Sequence, residues 1–478
     1  MIAHSHSPPS ERRRTTLLAA ALAIAALLAA GCTSAAETAV TVTVPAGSAT
    51  NPPSQTSSIE SSTSAPSTST PLSSTPSTSG SSGSPGSSPG TPSGAGAGSS
   101  TVSQSPPPVT TSAAPAQESG PTISTDPAAS ATGISPIAPV VVTAASGTLL
   151  AASLTTPEGR MVKGSLSADK RTWTSMEPLG YNRKYTIDAT AEDGSGTRVS
   201  TATFTTLKPK QTVFSSFFPN ATMKKVGVGQ PMVVIFDKEP SDRAAAEKTL
   251  IVKTTPAVEG AWYWWDNRTV HYRPKEFWKP GTKITITAKV YGVDFGGGMY
   301  GETDRTLNVT IGDAKVAKID DATKQMKVFI NDKLVRTVPV SMGMDKTVTV
   351  AGKKIDFITP SGTYVAQERY EVRQMSSATY GLPVGADTGY DKAIPLAVRI
   401  SNGGVFVHSA PWSVKDQGIR NVSHGCININ PEAGRWFYDT FSFGDIVQVT
   451  GTKTQLEPDD GFGDWNIPWT TWLEGSAL

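Results

Sequence analysis

Cysteine is almost missing from this chain: of 478 residues only Cys32 and Cys426 are cysteines. The β-rich segments between them hold none, so no antibody-type disulfide can staple them. Histidine is nearly as scarce, five in all, and His4 and His6 lie at the very start. Lys and Arg are absent between Arg14 and Arg160, and no basic stripe occurs elsewhere. The formal charge of +2 disappears once residues 1–31, with Arg12, Arg13, Arg14 and Glu11, are set aside. A nucleic-acid partner calls for a strongly basic face and is excluded on this count. Long apolar runs are lacking too, since Leu17–Ala30 is short and Ala-rich for a membrane span.

What is present at the start is an ordered signal: Arg12–Arg14, then the apolar run, then small residues. It closes on Leu28-Ala29-Ala30-Gly31-Cys32, which resembles a bacterial lipoprotein processing site, with Ala29 where Leu is commonest. Residues 1–31 therefore read as a removable signal peptide and Cys32 as the lipidated new N-terminus. That places the protein outside the cytoplasm and on the membrane through its acyl chains. Cys426 is then the one free thiol, and exported proteins usually pair their cysteines or avoid them. A thiol kept there points to chemistry that needs it. Residues 32–135 are rich in Ser, Thr, Pro and Gly, as in Ser64–Gly98, and read as a disordered linker. About 100 such residues have an r.m.s. span of ~50–60 Å, a tether with reach.

From Arg160 the composition is that of globular protein. Residues 136–207 alternate apolar and polar in short runs such as Lys184–Ala189 and Ser200–Phe204, with a turn at Asp193-Gly194. This predicts an Ig-like β-sandwich with Trp173 and Tyr185 in its core. Residues 208–312 predict a second sandwich, with strands at Pro231–Phe236 and Lys283–Ala288. Its cluster Trp262, Tyr263, Trp264, Trp265 can fill a core by alternate members or present a platform for sugar. The expected fold class is mostly β throughout.

Residues 313–450 form a third β-rich block. Gln325–Ile330 and Leu334–Val340 flank Asn331-Asp332-Lys333 as a hairpin, and Gly403–Val407 is an apolar strand ending at His408. Asn430, Pro431 and Glu432 announce a short helix to about Thr440, and Gly444–Val449 a closing strand. Two of the three histidines outside the signal region, His408 and His424, lie near Cys426. A cysteine nucleophile needs such a base, because a free thiol with pKa about 8.5 is only slightly ionised at neutral pH. Gly425 allows a tight turn in which successive N–H groups can receive an oxyanion.

Ser423-His424-Gly425-Cys426-Ile427-Asn428, with His408-Ser409-Ala410-Pro411-Trp412 upstream, resembles the signature of the YkuD-type L,D-transpeptidases. The two Ig-like segments and the tail Gly463–Trp469 resemble the mycobacterial and actinobacterial lipoprotein branch of that family. The resemblance implies that Cys426 attacks the amide before the terminal D-Ala of a peptidoglycan tetrapeptide stem and carries a thioester. A second stem's diaminopimelate amine would then resolve it as a 3→3 cross-link. It also implies His408 as base and acid, Ser409 as its holder through the main-chain carbonyl, and His424, Gly425 and Cys426 as oxyanion donors. Asn428 would support the loop, and Tyr390, Tyr380, Met375, Trp412 and Ser423 would line the substrate cleft, with a mobile lid included in the stretch from about 359 to 390. Acylation by carbapenems follows from the same resemblance, with no cofactor, no metal and a monomeric chain. The tail 451–478, with Trp465, Trp469 and Trp472, is expected to pack on the catalytic domain. The motif leaves two other outcomes open: water as acceptor, giving an L,D-carboxypeptidase, and a non-enzymatic wall-binding protein. A zinc site of His408, His424 and Cys426 is short of the usual four ligands.

Overall fold

The computed structural model describes residues 120–478. The expected signal peptide, the lipidated Cys32 and most of the linker lie outside the described residues. The first β unit sets a sheet ordered Ile123–Asp126, Val141–Ala144, Thr172–Ser175, Gly164–Leu166 against a three-stranded sheet of Thr148–Thr155, Lys184–Asp193 and Gly196–Thr205. Strict alternation along Lys184–Asp193 sends Tyr185, Ile187, Ala189 and Ala191 inward, where Tyr185 stacks on Phe204 and Trp173 joins them. The unit begins earlier than residue 136. Ile123–Asp126 pairs antiparallel with Val141–Ala144, and Ile134 bridges Thr206. Apart from Ile123, that edge strand is Ser, Thr and Asp, so its composition continues the linker's while its backbone belongs to the sheet.

The second unit packs two four-stranded sheets around Phe236, Trp262, Trp264, Tyr272 and Trp278. The aromatic cluster divides as a strand must: Trp262 and Trp264 point into the core, Tyr263 and Trp265 out of it. Buried Trp264 Nε1 donates to Glu247 Oε2 at 2.8 Å.

The third unit has a five-stranded sheet ordered Lys333–Pro339, Gln325–Ile330, Lys315–Asp320, Ile446–Thr450, Gly362–Val365. Beside it runs a four-stranded sheet ordered Arg369–Ser376, Asp391–Arg399, Phe406–Ser409, Ile427–Ile429. The helix Pro431–Thr440 starts as its residues dictate, Asn430 accepting from the Ala433 N–H and Pro431 in the first turn. It lies on the strand carrying His408 so closely that a Cβ on Gly434 would stand 2.8 Å from Ser409 Cβ. The stretch 359–390, expected to include a lid, divides. Gly362–Val365 is a core strand with Tyr364 and Val365 buried, and within the stretch Met375 and Thr388–Tyr390 line the cleft.

The tail divides between two units. Its first part packs on the catalytic unit as expected, with Leu456 in that core and its N–H on the Ser361 carbonyl. From Asp464 it turns to the second β unit. Asp464 Oδ1 meets His271 Nδ1 at 2.7 Å, Trp465 Nε1 donates to Gly229 O at 2.7 Å, and Trp472 Nε1 to Ala261 O at 3.0 Å. The Arg273 guanidinium lies over the rings of Trp465, Trp469 and Trp472 at 4.9, 5.2 and 4.3 Å. All these partners belong to the second β unit, which offers aromatic and cationic surface that the catalytic unit lacks here. Within this last stretch Asn466 reaches back to the catalytic sheet, bonding both the N–H and the carbonyl of Thr363.

Candidate active site

Two short parallel strands place the central groups. Phe406–Ser409 pairs with Ile427–Ile429 so that His408 stands opposite Asn428. Side chains two apart on a strand share a face, and paired neighbours point the same way, so Cys426, Asn428 and His408 gather on one side. All three line a cleft of about 260 Å³, with Met375, Thr388, Gly389, Tyr390, Lys392, Ile394, Trp412, Val422, Ser423 and His424.

His408 is buried, and its Nδ1 lies 2.9 Å from the Ser409 carbonyl. A carbonyl only accepts, so Nδ1 carries the proton and Nε2 keeps its lone pair. Burial pulls the imidazole pKa down to about 4, against a small opposing effect of that bond. Cys426 is half-buried, its thiol 3.6 Å from the Gly404 carbonyl it donates to. Burial raises the thiol pKa to about 11, while a backbone contact at Phe406 and the charge of Arg399 pull the other way. At neutral pH the resting pair is thus a neutral thiol beside a neutral imidazole. Thiolate has to form during attack, with Nε2 taking the proton.

The nucleophile loop is braced from within. Ser423 Oγ donates to the Cys426 carbonyl at 2.5 Å and accepts from the Gly425 N–H at 3.2 Å. Ser423 lines the cleft, but its hydroxyl is committed to the loop. The Gly425 N–H is likewise turned inward, which removes it from the expected set of three oxyanion donors. Gly425 itself has φ of +127°, a conformation that side chains resist. Asn428 Nδ2 donates to Ser413 Oγ at 3.1 Å, and its backbone exchanges bonds with Ser341.

His424 stands edge-on to Phe357 at 4.5 Å and tilted to Tyr390 at 5.1 Å between ring centres. Burial lowers its pKa, and Lys346 and Lys392 add to the effect. Trp412 is exposed and stacks over His408 at 5.9 Å. Tyr390 faces the cleft, but Tyr380 does not line it. Tyr380 packs behind, on a small core of Ile355, Phe357 and Leu382, as a large ring does when a loop offers apolar neighbours.

Sequence reasoning missed Thr359 and Lys392. Thr359 is fully buried, its hydroxyl donating to the Gly425 carbonyl at 2.7 Å and accepting from the Gly343 N–H at 2.9 Å. No local pattern marks a threonine that clamps a loop 66 residues away. Lys392 is an exposed strand residue with an ordinary apolar-polar environment, and only the fold brings it beside Trp412. Among the described residues no cluster of His, Cys, Asp and Glu could hold a metal ion.

Comparison with known proteins gives one family for this site. Residues 314–449 match the YkuD L,D-transpeptidase catalytic domain, and residues 131–294 match a bacterial Ig domain, a single match running across both β units. L,D-transpeptidase 2 of Mycobacterium tuberculosis is 45% identical over 73% of this chain and 83% of its own length. L,D-transpeptidase 5 of the same species is 36% identical over 74% of this chain and 76% of its own. A crystal structure of M. tuberculosis L,D-transpeptidase 3 with a faropenem-derived adduct is 30% identical, covering 49% of this chain and 97% of that one, with a TM-score of 0.40.

Proposed function

This chain belongs to the peptidoglycan L,D-transpeptidases, and from that premise we infer that Cys426 carries the acyl group and His408 moves the protons. One observation supports the assignment above the rest: the Ser409 carbonyl fixes the proton on Nδ1, leaving His408 Nε2 as a base on the cleft it shares with Cys426.

The chemistry then runs in two halves. Cys426 Sγ attacks the carbonyl carbon between diaminopimelate and terminal D-Ala while its proton passes to Nε2. Negative charge on the former carbonyl oxygen faces the backbone amides of His424 and Cys426, donors already in place when the charge develops. Collapse breaks the C–N bond, His408 returns the proton to the departing amine, and D-Ala leaves a thioester behind. The side-chain amine of a second stem attacks that thioester, His408 takes its proton, and the sulfur leaves to recover it. The product is a 3→3 cross-link. Neutral resting groups suit the second half, because an imidazolium could not accept the acceptor's proton.

The loop anchors have a shared task. Ser423, Thr359 and Asn428 hold the nucleophile loop rigid, so the amides need not reorganise when charge appears. Met375, Tyr390 and Trp412 give the stem apolar surface to lie on. A strained β-lactam carbonyl meets the same thiol, so carbapenems acylate Cys426. The substrate lies outside the cytoplasm, which fits export by the N-terminal signal and a lipid anchor at Cys32, and the site needs no second chain.

Intact-mass analysis after meropenem tests the nucleophile: one adduct on the wild type and none on Cys426→Ala is expected. Feeding tetrapeptide with and without a diaminopimelate-bearing acceptor tests the outcome. Only free tripeptide in both would replace cross-linking with hydrolysis.

A further inference from the structure

We propose that Lys392 is a specificity residue that binds the carboxylate of the leaving D-Ala, and equally the carboxylate of a β-lactam. The proposal deepens the transpeptidase reading and rests on it for the identity of the peptide donor.

The residues around the cleft make the case. The thirteen lining side chains include no Asp or Glu, and Lys392 is the one Lys or Arg among them. Neither histidine there supplies a second charge at neutral pH, since burial holds both imidazoles below their usual range. Lys392 is thus the one full positive charge on the cleft wall, with Lys346 and Arg399 acting on His424 and Cys426 from behind the lining. Among the described residues Lys392 forms no ion pair, and its ammonium lies over the Trp412 ring, 5.9 Å from the centre. Trp412 in turn stacks on His408. The base, the indole and the ammonium therefore follow one another along the same wall. Lys392 is opposite Met375 in the strand register, so its position is set by the sheet while its side chain reaches into solvent.

The donor's chemistry matches that order. His408 delivers its proton to the D-Ala nitrogen, and the D-Ala carboxylate sits one carbon beyond that nitrogen. A β-lactam of the penem or carbapenem type carries its carboxylate one carbon beyond the lactam nitrogen as well. One flexible ammonium on the same wall, beyond the base and its indole, can therefore hold the leaving side of either acyl donor. An exposed ammonium lying over an indole favours a carboxylate over a neutral group by about two- to fivefold in kcat/KM.

The test compares donors differing only in that charge. Wild type, Lys392→Met and Lys392→Arg are given tetrapeptide ending in D-Ala or in D-alaninamide, with release of the terminal residue measured. In parallel, acylation of Cys426 by a carbapenem and by its neutral methyl ester is followed by intact mass. The wild type should prefer the acid of each pair by about two- to fivefold. Lys392→Met should lose that preference and leave the neutral donors unaffected, and Lys392→Arg should restore most of it. Equal slowing of charged and neutral donors by Lys392→Met, or no change in either, overturns the proposal. A wild type that acts on neither peptide would remove the transpeptidase reading, while the lactam pair would still decide the role of Lys392.

Discussion

At the scale of single residues, the resting protonation state is the site's main constraint. Burial lowers the His408 pKa to about 4 and raises that of Cys426 to about 11, which favours a neutral thiol and a neutral imidazole over a preformed thiolate–imidazolium pair at neutral pH. Thiolate absorbance near 240 nm should therefore be absent at pH 7 and grow only toward about pH 11. A full thiolate signal at pH 7 would rule out the general-base description. The same burial links His408 to stability. Its folded pKa lies below the unfolded value of 6.5, so at neutral pH no proton is bound in either state and nothing is lost. Below pH 6.5 the unfolded chain takes a proton that the folded chain refuses, and stability falls until about pH 4. The loss is about 3 kcal/mol at 1.36 kcal/mol per unit. Asp445 opposes it: burial raises its carboxyl to about 6, so its own contribution is present at low pH and fades as pH rises. Comparing wild type with His408→Gln cancels the Asp445 part. Their difference in unfolding free energy should shift by about 3 kcal/mol between pH 7 and pH 4. Thr359→Val is the third test at this scale. It keeps the shape but leaves the Gly425 carbonyl and Gly343 N–H buried without partners, costing about 2 kcal/mol or more. Because it loosens the loop and not the peptide surface, kcat should fall more than KM rises.

At the scale of elements, what the residues disclose in advance depends on how local the determinant is. The helix after Asn430, the strand ending at His408 and the tight turn at Gly425 each rest on a few adjacent residues, and each was legible. The alternation along Lys184–Asp193 was legible for the same reason. The strand Ile123–Asp126 was not, because a polar edge strand has the composition of a linker and gains its structure from a partner elsewhere. Tyr380 and Tyr390 look alike in sequence, and only the small core around Phe357 and Leu382 separates a filler from a cleft wall. The tail shows the limit most clearly. Its tryptophans announced docking, but the surface that receives them is assembled from Ala261, Tyr263, His271 and Arg273, almost two hundred residues earlier. Trp472 is fully buried there and stacks on Tyr263 at 4.8 Å. Trp472→Ala should cost about 3–5 kcal/mol and leave cleft chemistry largely in place. Hydrogen exchange should then quicken across 463–478 first. Unchanged protection of that segment would show that the indole is not what holds it.

Across the whole molecule the two junctions between β units are built differently, and that difference predicts how the chain melts. The first and second units meet through a few groups: Tyr181 donates to Gly301 O at 2.7 Å and accepts from Gly292 N at 2.8 Å, while Tyr291 donates to the Leu179 carbonyl. The Tyr181 ring also meets those of Tyr291 and Tyr300 at 5.0 and 6.3 Å, but the two units keep separate cores. The second and catalytic units are fused. Gly227 and Gly229 bond Phe443 O and Gly444 O at 2.8 Å each, with backbones so close that a Cβ on Gly227 would stand 2.3 Å from Asp445 N. Val365 and Ile446 of the catalytic unit belong to the second unit's core, and the tail covers the same seam. Residues that share one core unfold together, whereas units with separate cores joined by a few side chains transmit little cooperativity. Calorimetry of residues 120–478 should therefore show two transitions, a smaller one for residues 123–207 and a larger one for the rest. Deleting 463–478 removes Trp465, Trp469 and Trp472 from the fused pair and should lower only the larger transition. At 2–4 °C per kcal/mol for a unit of that size, the shift is on the order of 10 °C. Three separate transitions in the intact chain would mean that the glycine seam does not couple the second unit to the catalytic one. The second unit would then be a spacer, not part of the scaffold that holds the nucleophile loop.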